Sequence, residues 1–321
     1  MREGKGSRTA QFAAYNRALG NLSPAVAGFS DPVAEVFLPG NLAKRVERGR
    51  RKLLHSPSSS PYPFWMRGMG TVNQYRTLVL DCAIRSAVPF EQMVILGAGF
   101  DSRAWRLPFL KQTIVFEVDH ADTQALKRSK ASWMPSTARD TRFVPVDFSR
   151  DSLSDRLLNS GFDRNGTTMW LWEAVTMYLD CREVSRTLSV AAELSPPDSR
   201  LAMTYMKKRR GKVPQSMFLS MLGEPVRSAY EPGEIAGLLR ADGWIVDEDS
   251  CIEDWETRIQ SGINLSRRNV GLQWNERILV GTRDSDKETG LIDESRRNNS
   301  KPVESTSWIN TFHRTHTNKE K

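Results

Sequence analysis

From Gln92 onward, short apolar runs alternate with stretches whose apolar positions recur at helical spacing. Met93–Leu96, Thr113–Val118, Arg142–Val146, Thr168–Trp172 and Arg200–Tyr205 are short and rich in β-branched or aromatic side chains, so they are expected as strands. Between them, Asp122–Trp133, Ser152–Ser160 and Arg182–Leu194 are expected as helices. Glu234–Ala241 adds another helix, followed by strand candidates Trp244–Val246 and Arg277–Gly281. Strand–helix alternation of this kind predicts a parallel sheet covered on both faces, a doubly wound α/β domain over residues 91–283.

Residues 1–90 have a different texture and are expected as an N-terminal helical addition on the substrate side. Gln11–Leu19 is a short amphipathic segment, and Pro24, Pro32, Pro39 and Gly40 interrupt the stretch after it. Three prolines and four serines make His55–Pro63 a loop, whereas Val72, Tyr75, Val79, Cys82 and Ala83 mark a helix over Val72–Val88. No internal repeat is visible. Residues 284–321 are rich in Asn, Ser, Thr, Lys and Glu with few apolar anchors, so a disordered polar tail is expected there.

Composition narrows the function classes. No apolar run approaches the roughly 18 residues that a membrane span needs, and the amino terminus is polar, so neither membrane insertion nor secretion is expected. Three scattered cysteines and four histidines support neither a disulfide framework nor a metal site. A reduced, cytoplasmic protein is the expectation. The net charge of +8 is concentrated in two places. Residues 44–52 hold six basic residues against one acidic, and residues 207–212 hold five basic residues. Each run is expected as a solvated loop, and nucleic acid is not an expected partner.

Four segments carry candidate chemistry. Val94-Ile95-Leu96 runs into Gly97-Ala98-Gly99, a strand followed by a loop whose backbone can approach a ligand closely. Ser102 stands where the dinucleotide fingerprint has its third glycine, and Asp101 would repel a pyrophosphate. Asp119 follows Gly99 by 20 residues, the spacing of a ribose-binding acid; helix capping or an ion pair with Lys127 or Arg128 is the structural alternative. Asp147 with Phe148 could receive an adenine, or Asp147 could cap the helix near Ser152. Glu173 ends the fourth strand beside the switch point of the sheet, after Trp170 and Trp172, which are expected in the core.

In this order and spacing, G-x-G-x-D-S-R, E-V-D, V-D-F and W-E-x-V-T-M-Y-L resemble the leucine carboxyl methyltransferase family, in particular its bacterial and fungal S-adenosylmethionine-dependent branch. The resemblance covers residues 7–282, from Ser7-Arg8-Thr9-Ala10 through Tyr75-Arg76-Thr77 and Asp81 to Gly223-Glu224-Pro225 and beyond. It implies a Rossmann-like class I methyltransferase sheet of about seven strands. It also implies S-adenosylmethionine as cofactor, with Arg76 on the methionine carboxylate, Gly97 and Gly99 along the methionine, and Asp101 inside the same loop. Asp119 would then take the ribose, Asp147 and Phe148 the adenine, and Glu173 the methionine amino group. Two departures are visible: Ala121 where the family commonly has proline, and Ala174 where it commonly has glycine.

The implied reaction is O-methylation by in-line transfer to a carboxylate or hydroxyl of a small molecule or peptide, anionic acceptors included. A carboxylate needs no general base; for a hydroxyl or amine, Tyr178 and Glu173 are the candidates. The run Lys207–Lys212 is expected to overhang the acceptor pocket and attract an anionic acceptor. A nucleotide-cofactor oxidoreductase on a similar sheet is opposed by Asp101 and the missing third glycine. A non-enzymatic ligand- or RNA-binding module would rely on the two basic runs, which lack interleaved aromatic residues.

Overall fold

A computed structural model of the chain describes residues 7–208, 224–260 and 275–284. Arg209–Lys212 and the tail beyond 284 lie outside the described residues, and so do the expectations attached to them.

Seven strands form one sheet in the order β3-β2-β1-β4-β5-β7-β6. They are β1 (Gln92–Leu96), β2 (Ile114–Asp119), β3 (Asp140–Pro145), β4 (Thr168–Trp172), β5 (Arg200–Met206), β6 (Trp244–Ser250) and β7 (Glu276–Arg283). The pairs among β1 to β5 are parallel, and β7 runs antiparallel between β5 and β6. After β3 the chain returns to the other side of β1. The crossovers on either side of β1 and β4 therefore diverge and open a crevice at the carboxyl ends of those two strands.

Every residue of β1 and β4 is buried, because helices cover both faces. Alternate side chains feed two separate cores. Met93, Ile95, Met169 and Leu171 pack with α1 (Arg8–Leu22), α2 (Gly40–His55) and α3 (Arg67–Ala87). Val94, Leu96, Trp170 and Trp172 pack on the other face, with α6 (Leu153–Asn159), α7 (Cys181–Glu193) and α8 (Pro232–Ala241). The two tryptophans are core residues, and Trp170 Nε1 donates to Ser195 Oγ at 2.7 Å. The remaining α-helices among the described residues are α4 (Arg103–Arg106), α5 (Ala121–Ala131) and α9 (Ile252–Ile259).

Three elements depart from the expectation. Residues 44–52 are not a loop but the middle of α2. Only Val46 and Gly49 of that helix are buried, too few for a readable apolar stripe. A Cβ on Gly49 would sit 3.4 Å from both Leu19 Cδ2 and Pro61 Cβ, so the glycine lets α2 lie close against α1. β6 extends to Ser250, past a bulge between Val246 and Glu248, because its antiparallel pairing with β7 holds a strand whose outer positions are polar. Helix α9 has a single buried anchor, Trp255, whose Nε1 donates to Ser250 Oγ at 3.0 Å.

Candidate active site

β1 delivers the chain into Gly97 and Gly99 at positive φ, +65° and +48°. A Cβ on Gly97 would lie 2.4 Å from Val175 Cγ2, and one on Gly99 2.8 Å from Ala10 Cβ. The loop thus threads between the segment after β4 and the first turn of α1, with room only for hydrogen at both positions. Arg17 of α1 donates from Nη2 to Phe100 O at 2.7 Å and fixes the end of the loop.

Asp119 closes the other side of the loop. Its carboxylate accepts from the Gly99 and His120 backbone N–H groups, the latter at 2.6 Å. Burial pushes its pKa up, and the two N–H donors act against that. The helix-capping and ion-pairing alternatives for Asp119 are held by other residues: His120 Nδ1 caps α5 by accepting from Asp122 N at 3.3 Å, and Lys127 pairs with Glu117 at 2.7 Å. Ala121 is the first residue of α5, a position at which proline is also well tolerated, so that departure from the family pattern changes no backbone geometry.

Asp147 does not cap the next helix either; Ser152 does, accepting from Asp155 N at 3.2 Å. Asp147 Oδ1 instead accepts from Ser149 N at 3.0 Å and Ser149 Oγ at 2.6 Å, and the Ser149 hydrogen bonds hold the carboxyl below its ordinary value.

Glu173 is the hub of the floor. Arg76 Nε donates to its Oε1 at 2.8 Å and Arg103 Nη1 to its Oε2 at 2.7 Å. Burial pulls its pKa up, but Arg103 and Arg76 override burial and hold the carboxyl far below the usual range. The pairing extends outward: Arg76 to Glu276 at 2.8 Å, Arg103 to Asp101 and to Asp81 at 2.7 Å, Arg106 to Asp81 at 2.6 Å, and Arg17 to Asp31 at 2.8 Å. These buried groups comprise five carboxylates (Glu276, Glu173, Asp101, Asp81 and Asp31) against four guanidiniums (Arg76, Arg103, Arg106 and Arg17). Ala174, the residue after the hub, sits at φ +55° with its N–H donating to Thr204 Oγ1 at 2.8 Å, a conformation that favours the glycine common in the family.

One cavity of about 470 Å³ gathers Arg76, Gly97, Gly99, Asp101, Asp119, Asp147, Phe148, Glu173 and Tyr178 in its wall, every candidate that the sequence nominates. The cavity is also lined by residues that sequence reasoning does not single out for a role: Thr9 and Asn16 from α1, Asn73 from α3, and Glu224. Glu224 accepts from Ser7 Oγ at 2.9 Å and from the Thr9 hydroxyl. Burial and the nearby Glu224 charge keep the Tyr178 hydroxyl protonated. Arg103 is present in the G-x-G-x-D-S-R signature, but nothing in the local sequence reveals that it bridges Asp81, Asp101 and Glu173.

A family model described as leucine carboxyl methyltransferase matches residues 10–192, more than half of the chain. A protein of Mycobacterium sp. (strain MCS) described as an S-adenosyl-L-methionine-dependent methyltransferase is 33% identical over 179 residues, spanning 54% of this chain and 69% of its own length. Among solved structures, a DUF574 family protein from Streptomyces avermitilis superposes with a TM-score of 0.52 at 12% identity, over 87% of this chain and 98% of that one. A protein from Thermobifida fusca described as a methyltransferase gives a TM-score of 0.51 at 14% identity, over 88% and 97% of the two chains. At such identities the solved structures share the fold with this chain.

Proposed function

The chain belongs to the leucine carboxyl methyltransferase family and is an S-adenosylmethionine-dependent methyltransferase, and from that premise we propose that it methylates an oxygen of its acceptor by in-line transfer inside the 470 Å³ cavity. One observation carries the reading: a single cavity brings together the Gly97–Gly99 backbone, Asp119, Asp147 with Phe148, and the ionised Glu173 carboxylate. S-adenosylmethionine is net positive, with a sulfonium and an ammonium against one carboxylate, whereas the product thioether has lost the sulfonium charge. The carboxylates of Asp101, Asp119, Asp147 and Glu173 in that wall favour the first over the second, and they disfavour the pyrophosphate of a nicotinamide cofactor.

The residues present fit the cofactor. The Gly97–Gly99 backbone gives the close approach that a Cβ would fill. Asp119 would receive the ribose hydroxyls on carboxylate lone pairs not used by the two loop N–H groups, and Asp147 with Phe148 would flank the adenine. Arg76 commits Nε and Nη1 to Glu173 and Glu276, which leaves Nη2 for the methionine carboxylate, and Glu173 would face the amino group. Bound there, the cofactor supplies a methyl group on a sulfonium sulfur, open to displacement by an oxygen nucleophile.

The chain's own contribution is positioning and water exclusion, because α1 lies across the glycine loop through Ala10. Neither base candidate is suited to take a proton. Tyr178 is held protonated by burial, and Glu173 is held ionised by two arginines, which makes it a weak base. Calorimetry with S-adenosylmethionine, followed by transfer of its labelled methyl group to a panel of acceptors, tests the proposal. Absence of cofactor binding would end it, and product methylated only at nitrogen or sulfur would end the assignment to oxygen.

A further inference from the structure

Helix α1 is anchored unevenly. Its second half, Ala14–Gly20, is buried without interruption, whereas none of residues 7–13 is buried. Ser7, Thr9, Ala10, Phe12 and Ala13 line the cavity, and of these only Ala10 and Phe12 also pack, partly buried, against the core. Ala10 lies against Gly99, so the first turn of the helix covers the loop on which the cofactor would rest. The half of α1 that walls the cavity is the half that the core holds least, and local opening starts in such places.

What holds that half down is polar. Ser7 Oγ donates to Glu224 Oε1 at 2.9 Å, and the Thr9 hydroxyl donates to Glu224 Oε2. Each hydroxyl has one hydrogen, and both go to this carboxylate. Ser7 Oγ also accepts from Ala10 N at 3.1 Å as the cap of the helix, and Ser7 N donates to Thr123 Oγ1 at 3.3 Å. A carboxylate 215 residues from Thr9 in sequence therefore clasps the start of α1 with both oxygens. All three side chains can turn to water when they part. The clasp thus opens at the cost of two charge-assisted hydrogen bonds, with the core packing of Ala14–Gly20 left in place.

We propose that Glu224, Ser7 and Thr9 form a latch, and that residues 7–13 are the strap it closes over the bound cofactor. The inference rests on the placement of S-adenosylmethionine in this cavity and adds how the cofactor is retained and its product, S-adenosylhomocysteine, released. With the latch closed, Ala10 covers the glycine loop and completes the wall. With it open, the strap lifts from Gly99 while Ala14–Gly20 stays in the core. Glu224 is a positioning residue in this device, since it acts on the cofactor through α1.

The test follows release of S-adenosylhomocysteine and of S-adenosylmethionine from the full chain by stopped-flow displacement. Glu224→Ala and Thr9→Val should each speed release of both ligands about 10-fold, the effect of losing one hydrogen bond to a charged group. Combining them should add little to Glu224→Ala alone, because Thr9 has by then lost its partner. Glu224→Gln keeps one acceptor oxygen and should recover part of the retention. Amide exchange should quicken at residues 8–13 in both single variants and stay as in wild type over Ala14–Gly20. A purely electrostatic role for Glu224 would speed only the positively charged S-adenosylmethionine and leave Thr9→Val without effect, which would overturn the latch. Unchanged release of S-adenosylhomocysteine in Thr9→Val, or full additivity of the two substitutions, would overturn it as well. Either result beside weakened binding in Asp119→Ala strikes the latch alone. If Asp119→Ala binds both ligands as tightly as wild type, the placement of the cofactor falls and the latch falls with it.

Discussion

Glu173 divides its carboxylate between Arg76 and Arg103, with N···O distances of 2.8 and 2.7 Å. The arginines come from α3 and from the start of α4, and the glutamate from the end of β4, so one side chain ties the helical cap, the glycine loop and the sheet together. Burial of the carboxyl opposes its ionisation, and the two guanidiniums reverse that. Substituting either arginine would leave Glu173 with one guanidinium in place of two.

Replacing the hub carboxylate has a signed consequence. The folded pKa of Glu173 is depressed, so its contribution is fully present above the unfolded value, about 4.3, and is lost as pH falls through the folded value far below it. Glu173→Gln should therefore cost about 3 kcal/mol at pH 7, at the low end for a broken buried pair, because Arg76 keeps Glu276 and Arg103 keeps Asp81 and Asp101. The gap between variant and wild type should close on acidification below that value. Urea unfolding of both proteins from pH 7 to pH 3 measures it, and a gap that is constant with pH would refute the ionised assignment.

Asp119→Ala should lower S-adenosylmethionine affinity by about 1.5–3 kcal/mol, roughly 10- to 150-fold, through loss of charge-assisted hydrogen bonds. The same carboxylate braces the Gly99 and His120 N–H groups, so the loop should also lose protection. Calorimetry combined with amide exchange at Gly99 reads both effects. An unchanged dissociation constant alongside faster exchange would reduce Asp119 to a loop brace.

The spacing from Gly99 to Asp119 is readable without a structure because a strand–loop–strand unit has a nearly fixed length, and the alternation from Gln92 to Tyr205 is readable because central strands are apolar after their first residue. Other features are set by partners distant in sequence. Helix α2 is stabilised by a glycine contact with Leu19 and Pro61, which periodicity does not register. Arg103 meets Asp81, 22 residues away, and Glu173, 70 residues away, so its motif marks the residue and hides its role.

Ala174→Gly should stabilise the protein by about 0.5–1 kcal/mol. At φ +55° a Cβ costs about 1–2 kcal/mol, and the extra freedom of glycine in the unfolded chain returns part of the gain. Thermal and urea unfolding check this. A loss of stability would mean that the Thr204 Oγ1 hydrogen bond and local packing already absorb the strain.

Gly97→Ala adds two penalties that a second substitution can separate. At φ +65° the new Cβ carries about 1–2 kcal/mol of backbone strain, and at 2.4 Å from Val175 Cγ2 it forces a displacement worth about 1–3 kcal/mol more. Val175→Ala removes the obstructing methyl groups and leaves the dihedral untouched. The double variant should therefore be more stable than the sum of the single effects predicts, with a coupling of about 1–3 kcal/mol, and should still fall short of Val175→Ala alone by the backbone term. A double-mutant cycle by urea unfolding measures both numbers. Strict additivity would show that the loop moves away from Val175 freely, and the close passage of the Gly97 backbone past the segment after β4 would then have no bearing on how the cavity is shaped.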